Sequence, residues 1–377
     1  MSSFNYAFQT GIGLNPYLLK NIADVVGSDN APQLKIDNLG FLNMLQSQAK
    51  TLNVNRPGGN GAVEFIQAKY LQRLVLGQTG TSDTCATANV NAYQEVTIPL
   101  NIYRQVALYL EDALVQEYTS DANKTQSLGL PPTAVMNEML AQIYAASNAI
   151  LVGIDNDLQN QVVFGVNPTT GSNASKSINI TLNTTNLPLT DGLTEILTEA
   201  QQAEFAMGKP QVYGSGLFLN FMNQQNAKGL AQNGLNTKIE AMGVDFFYDQ
   251  YAQGILGSNQ IAVISPDSMQ LVEFSRYTGI YSGQKGTSYF GSIVLPMQIT
   301  PTHTMPVSFD YQLKYIDCPE GVASVDDYYG NPIVGYRGWQ MIISKKCGLF
   351  QVPTNAYRAS DYLAGSNGTL RYTITNV

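Results

Sequence analysis

The hydrophobic pattern changes period at several points along the chain, and each change predicts an element. Across 96–110 the apolar residues fall at every second position: Val96, Ile98, Leu100 and Ile102, then Val106, Leu108 and Leu110. Such alternation predicts a strand with one buried face, held for unusually long. An isolated hairpin is marginal in water, so an arm of this length is expected to need a partner surface. The preceding segment, 63–76, is ambiguous: Ile66, Tyr70 and Leu74 suit a helix, whereas the context suits a second strand. Between the two runs lies a polar, Gly/Thr-rich stretch, 77–92, without core-forming residues; it is expected to be a mobile tip. Further on, Pro131, Pro132 and Thr133 open a helix. There Met136, Leu140, Ile143, Ser147, Ile150, Ile154 and Leu158 recur at steps of four and three, which gives one apolar stripe.

The remaining segments are shorter. Residues 1–50 read as an arm with helical pieces at 16–26 and 37–49. Residues 53–61 (NVNRPGGNG) read as a turn-rich break. The polar, low-complexity segment 164–186 marks a boundary. A second unit then begins with Thr190 or Asp191 capping a helix to about residue 207. A strand at 211–213, a helix at 216–227, and strands at 244–248 and 260–264 are predicted next. A short helix capped by Ser265 or Asp267 is expected to run toward Phe274. Strands return at 307–316 and 340–352, and the ending GSNGTLRYTITNV is extended. The fold class is α+β.

Composition adds an association bias. At 377 residues and 44% hydrophobic the chain can bury a sizeable core, yet only 13% of its residues are charged. That is about half the usual ~25%. Amides, hydroxyls and 22 Tyr take their place, and interfaces are enriched in Tyr and depleted in Lys and Glu. Self-association is the expectation. The net charge of −8 comes without a basic block, since Lys50, Arg56, Lys69, Arg73 and Arg104 are diffuse. Sequence-specific duplex binding, which wants clustered Lys and Arg, is therefore not expected. Cys85, Cys318 and Cys347 are odd in number and widely spaced, so neither a disulfide frame nor a zinc site is indicated. Residues 1–13 are polar, unlike a signal peptide, and no apolar run approaches the ~18 residues of a membrane span. The expected compartment is a reducing cytoplasm. The triplets at Asn173, Asn179, Asn183 and Asn367 then reflect composition and not glycosylation.

Candidate chemistry is thin. His303 is the only histidine, placed in a predicted loop, and a single histidine excludes multi-histidine metal motifs. Ser282–Lys285 and Ser47–Lys50 both match SxxK, but the companion SDN triplet is missing. Asp155-Asn-Asp157 resembles the start of a calcium loop, yet Asn160 and Val166 stand where that loop needs Gly and Glu. The pair is expected to end the long helix instead. Asp326 and Asp327 read as a solvated loop pair. No catalytic, cofactor-binding or metal residue is nominated, and an enzyme is not expected.

The order of segments carries a resemblance. The stretch NAYQEVTIPLNIYRQVALYLED (91–112) resembles the returning strand of an extended loop. PPTAVMNEMLAQIYAASNAILVGIDNDL (131–158) resembles a spine helix. GKPQVYGSGLFLNFMNQQ (208–225) and GSNQIAVISPDSMQLVEF (257–274) resemble axial-domain pieces, and ISKKCGLFQVP (343–353) a closing peripheral strand. Together they resemble the major capsid proteins of tailed bacteriophages, whose fold is shared with encapsulins and the herpesvirus capsid floor. The resemblance implies an N-terminal arm (1–50), an extended β loop (51–100), and a peripheral domain (101–185 and 301–377) with its spine helix at about 132–158. It further implies an axial α+β domain (186–300), with 277–291 as one axial loop. Function follows as implication: self-assembly into hexamers and pentamers of an icosahedral virion shell enclosing DNA, built in the host cytoplasm. Arg73, Tyr93, Glu95, Arg104, Tyr281 and Tyr289 are the candidate inter-subunit contacts. Other copies of itself are the implied partners, with packaged DNA held without sequence-specific contact; a separate scaffolding protein, or else a processed or scaffold-free system, is implied, and portal and decoration proteins are further candidate partners. No charged coiled-coil segment is present to serve as a fused scaffold. An encapsulin-like compartment, a cytoplasmic hydrolase and a phage tail protein are the alternatives.

Overall fold

The computed structural model describes residues 34–35, 39–47, 52–60, 63–71, 93–111, 134–164, 176–179, 211–215, 245–249, 251–257, 260–265, 268–277, 283–285, 288–300, 303–317, 323–326, 332–334, 337–353 and 367–375. In chain order the elements are β1 (Leu34–Lys35), α1 (Gly40–Ser47), β2 (Leu52–Asn60), β3 (Val63–Leu71), β4 (Tyr93–Pro99), β5 (Ile102–Glu111) and α2 (Ala134–Gln161). Then come β6 (Lys176–Asn179), β7 (Gln211–Gly214), β8 (Asp245–Tyr248), α3 (Ala252–Leu256), β9 (Gln260–Ile264), β10 (Met269–Phe274) and β11 (Gly283–Lys285). The last are β12 (Ser288–Thr300), β13 (His303–Asp317), β14 (Ala323–Asp326), β15 (Pro332–Val334), β16 (Arg337–Gln351) and β17 (Thr369–Thr375). The fold is α+β, with strands predominating. The chain divides into two compact units. One comprises Met1–Ile36, Tyr103–Ile154 and Phe274–Lys346; the other comprises Asp37–Ile102, Asp155–Glu273 and Cys347–Val377. The expected helices at 16–26, 190–207 and 216–227 and the tip at 77–92 lie outside the described residues.

The first unit is built on period-two alternation. β12 and β13 form an antiparallel hairpin that sets Tyr289 opposite Leu313, Ile293 opposite Phe309 and Leu295 opposite Val307. β16 extends the face, with Ile343 opposite Tyr311 and Met341 opposite Leu313. All of these side chains are buried. On the opposite face Asp310 accepts hydrogen bonds from the Ser275 hydroxyl and, at 2.9 Å, from the Arg276 N–H. Tyr277 stacks on Phe290 with ring centres 5.5 Å apart. The segment 277–291, expected as a loop, therefore contains β11 paired to the start of β12. His303 likewise opens β13 opposite Thr300 instead of lying in a loop.

The predicted stripe on α2 is buried at Leu140, Ile143, Ser147, Ile150, Ile154 and Leu158. Tyr144 widens it, and desolvation pushes its phenol up to about 12. The Tyr144 hydroxyl and Ser147 Oγ are buried without a hydrogen-bond partner among the described residues. The helix ends at Gln161, so Asp155 does not close it, contrary to expectation.

In the second unit a mixed sheet runs in the order β6-β17-β9-β7-β8. Its central strands β7 and β9 are almost wholly buried, which explains their continuous apolar runs. Phe41, Phe164 and Tyr213 pack ring to ring at 5.4–6.0 Å. Asn367 is buried and donates to the Val163 carbonyl at 2.8 Å, so its amide is committed to the fold. The expected helix at 265–274 is replaced by β10. Ser268 turns back on the Ser265 carbonyl through its N–H and hydroxyl, and Val352 N–H then donates to the Ser268 carbonyl at 2.8 Å. The cap-like serines close a turn, and pairing with β16 outweighs the local helix signal.

α1 carries no acidic residue in its first turn, and Leu39, just before it, has no capping side chain. Two carboxylates from elsewhere do the capping. Asp155 Oδ1 accepts from Leu42 N–H at 2.7 Å, and Asp249 Oδ2 accepts from Phe41 N–H at 3.3 Å. Gly40 is required beside them, because a Cβ there would collide with the Tyr248 carbonyl.

Removing the unpaired hydroxyl of Ser147 is expected to help the fold, since an unsatisfied buried polar group costs ~1 kcal/mol or more. Ser147→Ala should raise the denaturant midpoint, corresponding to a gain of about 1 kcal/mol. An unchanged or lowered midpoint would show that the hydroxyl is already satisfied.

Candidate assembly interface

β2, β3 and β4 form a separate three-stranded ribbon in the second unit. β3 pairs antiparallel with β4, with Phe65 opposite Pro99, Gln67 opposite Thr97, Lys69 opposite Glu95 and Leu71 opposite Tyr93. The ambiguous segment is therefore a strand through Leu71. β2 occupies the stretch expected to be a turn-rich break, and a bulge between Val54 and Arg56 adjusts its register on β3. Pro57, Gly58 and Gly59 are tolerated because β2 lies at the edge, where a missing N–H costs no ladder bond.

The two ribbon faces differ sharply. Ile66, Ala68 and Tyr70 of β3 and Ile98 of β4 are buried. Tyr70 lies 5.5 Å from the Phe350 ring, and burial raises its phenol above the ordinary range. At Gly348 of β16 the backbone lies so close that a Cβ would collide with the Pro99 carbonyl. The base of the ribbon thus buries Ile66, Ala68, Tyr70 and Ile98 within its own monomer. The other face carries exposed Gln67, Glu95, Thr97 and Pro99 with half-buried Phe65 and Lys69. Lys69 Nζ and Glu95 Oε1 are 3.1 Å apart, with side chains 41% and 80% exposed. A pair so exposed contributes only ~0.2–1 kcal/mol. This face is available for contact and holds little stability of its own.

The candidate contact residues are placed unequally. Glu95 stands on the exposed ribbon face, and Tyr93 is the first residue of β4. Arg104 is exposed on β5 in the first unit, where its stem lies against Gly153 of α2 at 3.3–3.5 Å from an added Cβ. Tyr289 is only 2% exposed, so its ring belongs to the core of its own unit. Arg73 and Tyr281 lie outside the described residues. Sequence reasoning missed the Gly348–Pro99 approach, because a glycine within a strand gives no hint of what comes close to it. Among the described residues no helix is long and apolar enough to cross a membrane.

The chain matches no protein-family model and no curated protein. Among solved structures it is similar to a chain from Mycobacterium phage Adephagia at 13% identity, covering 89% of this chain and 90% of that one, with a TM-score of 0.42. It is similar to one from Mycobacterium phage Cain at 12% identity, covering 89% and 90%, with a TM-score of 0.40. It is also similar to a chain in the capsid structure of cyanophage P-SCSP1u at 12% identity, covering 83% and 84%, with a TM-score of 0.37.

Gly348→Ala should push Pro99 away and loosen the ribbon base, at a cost of about 2–3 kcal/mol. Hydrogen exchange would read the change as lost amide protection across β3 and β4. Protection equal to wild type would mean that the close approach does not anchor the ribbon.

Proposed function

We propose that this chain is a major capsid protein that assembles into hexamers and pentamers of an icosahedral virion shell enclosing DNA. The observation that carries the reading is the β3–β4 ribbon, anchored at its base and carrying an exposed face with a single ion pair. A shell subunit needs surfaces that join neighbours heterologously. A ribbon stabilised at one end can offer its other end without cost to its own fold. The order of arm, ribbon, long helix and α+β unit supports the same reading, as do the low charge and the abundance of Tyr. In this reading residues 51–100 are the extended loop, α2 is the spine helix, and Glu95, Tyr93 and Arg104 meet neighbouring subunits. Scaffolding, portal and decoration proteins are separate partners, and packaged DNA is held without sequence-specific contact. The protein carries out no catalysis, and it resides in the virion after assembly in the host cytoplasm.

Electron microscopy of the purified chain, alone and with the proteins encoded beside it, tests the proposal. Closed shells or ring-shaped capsomers are expected, containing nucleic acid when recovered from particles. Persistence as a monomer at high concentration with those proteins present would sink it. Glu95→Lys sets like charges opposite each other at Lys69 yet should change monomer stability by no more than about 1 kcal/mol. Shell yield should fall severalfold. Equal yield would remove Glu95 from the interface.

A further inference from the structure

The carboxylates of Asp155 and Asp249, 0% and 3% exposed, converge in the second unit on the successive N–H groups of Leu42 and Phe41. Each of their oxygens already takes one donor. Asp155 receives Leu42 N–H at 2.7 Å and Gln159 Nε2 at 2.6 Å; Asp249 receives Tyr251 N–H at 2.8 Å and Phe41 N–H at 3.3 Å. Gln159 is held in turn by the Tyr213 hydroxyl, which donates to its Oε1 at 2.7 Å. Four N–H donors converging on the pair would repel a metal cation, and neither carboxylate forms an ion pair with a Lys or Arg among the described residues. With no cation beside them among the described residues, the two buried carboxylates are compatible only if they share a proton.

We propose that the Asp155–Asp249 pair is a proton-dependent latch: with one shared proton it holds α1 in place, and with both carboxyls ionised it releases α1. α1 is the element that the pair holds directly. The pair caps two successive N–H groups at the start of that helix, whereas Asp155 and Asp249 are themselves fixed in α2 and at the end of β8. α1 is short, and isolated helices of this length do not persist in water.

Burial, then the charge of Asp249 and the hydrogen bond between the two side chains, raise Asp155 from 3.8 to about 8. The sign follows from a raised carboxyl: the closed state holds a proton that the open state gives up. The stabilisation is complete below about pH 4 and is lost as the pH rises through about 8. Among the described residues, the other titratable groups whose charge couples to the pair or that flank it most closely are tyrosines. Tyr213 of β7 is pushed upward by burial and then by both carboxylates, and Tyr248 of β8 is pushed up to about 12 by burial. Tyr251 follows Asp249, Asp157 and Asp245 stand further along α2 and β8, and α1 itself contributes no ionisable side chain. Tyr213 and Tyr248 stay neutral across the window in which the latch acts.

The test is amide hydrogen exchange of the full chain between pH 5.5 and 8.5, corrected for the intrinsic rate. Protection at 41–47 should fall about tenfold per pH unit up to about pH 8, the slope of one proton. Protection in β7 and β9 should stay flat. Asp155→Asn, and independently Asp249→Asn, should abolish the slope, and infrared spectra of the wild type should show a protonated-carboxyl band that disappears over the same range. A flat wild-type profile, an unchanged slope in a folded Asn variant, or a missing carboxyl band would each overturn the latch. None of these readouts depends on assembly, so the latch and the capsid reading stand or fall separately.

Discussion

The ribbon is held from one face, and a close approach of two backbones sits at the centre of that hold. Ile66 and Ile98 turn inward together, Tyr70 meets Phe350, and Gly348 lets the Pro99 backbone come closer than any side chain would allow. Each buried aliphatic side chain supplies roughly 1.5–3 kcal/mol, which is enough to hold a short ladder whose other face contributes almost nothing. The surface best suited to a neighbour is thus stabilised from behind. Exposed residues on such a face can change without unfolding the ribbon.

The same division of labour appears at α1. Its own sequence lacks a cap, so its first N–H groups depend on carboxylates separated from it by more than a hundred residues. Those carboxylates are buried with no cation beside them among the described residues, an arrangement that trades simple stability for sensitivity to protons. A helix that capped itself would be firmer and could not be released. Elsewhere the second unit is conventional: β7 and β9 fill its centre, and the rings of Phe41, Phe164 and Tyr213 close over one end. The first unit is held by a broad alternating face whose aromatic members, Tyr289, Tyr311 and Phe309, stand opposite Leu313, Gly291 and Ile293.

Periodicity alone determined a good deal. Alternation at Ile98, Leu100 and Ile102, the stripe from Leu140 to Leu158 and the apolar runs at 211–213 and 260–264 each report one face of one element. Each therefore survives without knowledge of its neighbours. Local signals misled wherever a distant strand competed with them. The Pro and Gly residues at 57–59 read as a turn but pair with β3, and Ser265 reads as a cap but precedes a strand taken up by β16. What tertiary structure alone decided were the juxtapositions: Gly348 under Pro99, Asp155 beside Asp249, Tyr289 inside and Glu95 outside. Their partners lie far apart in the chain, and no spacing within it encodes which backbones will meet.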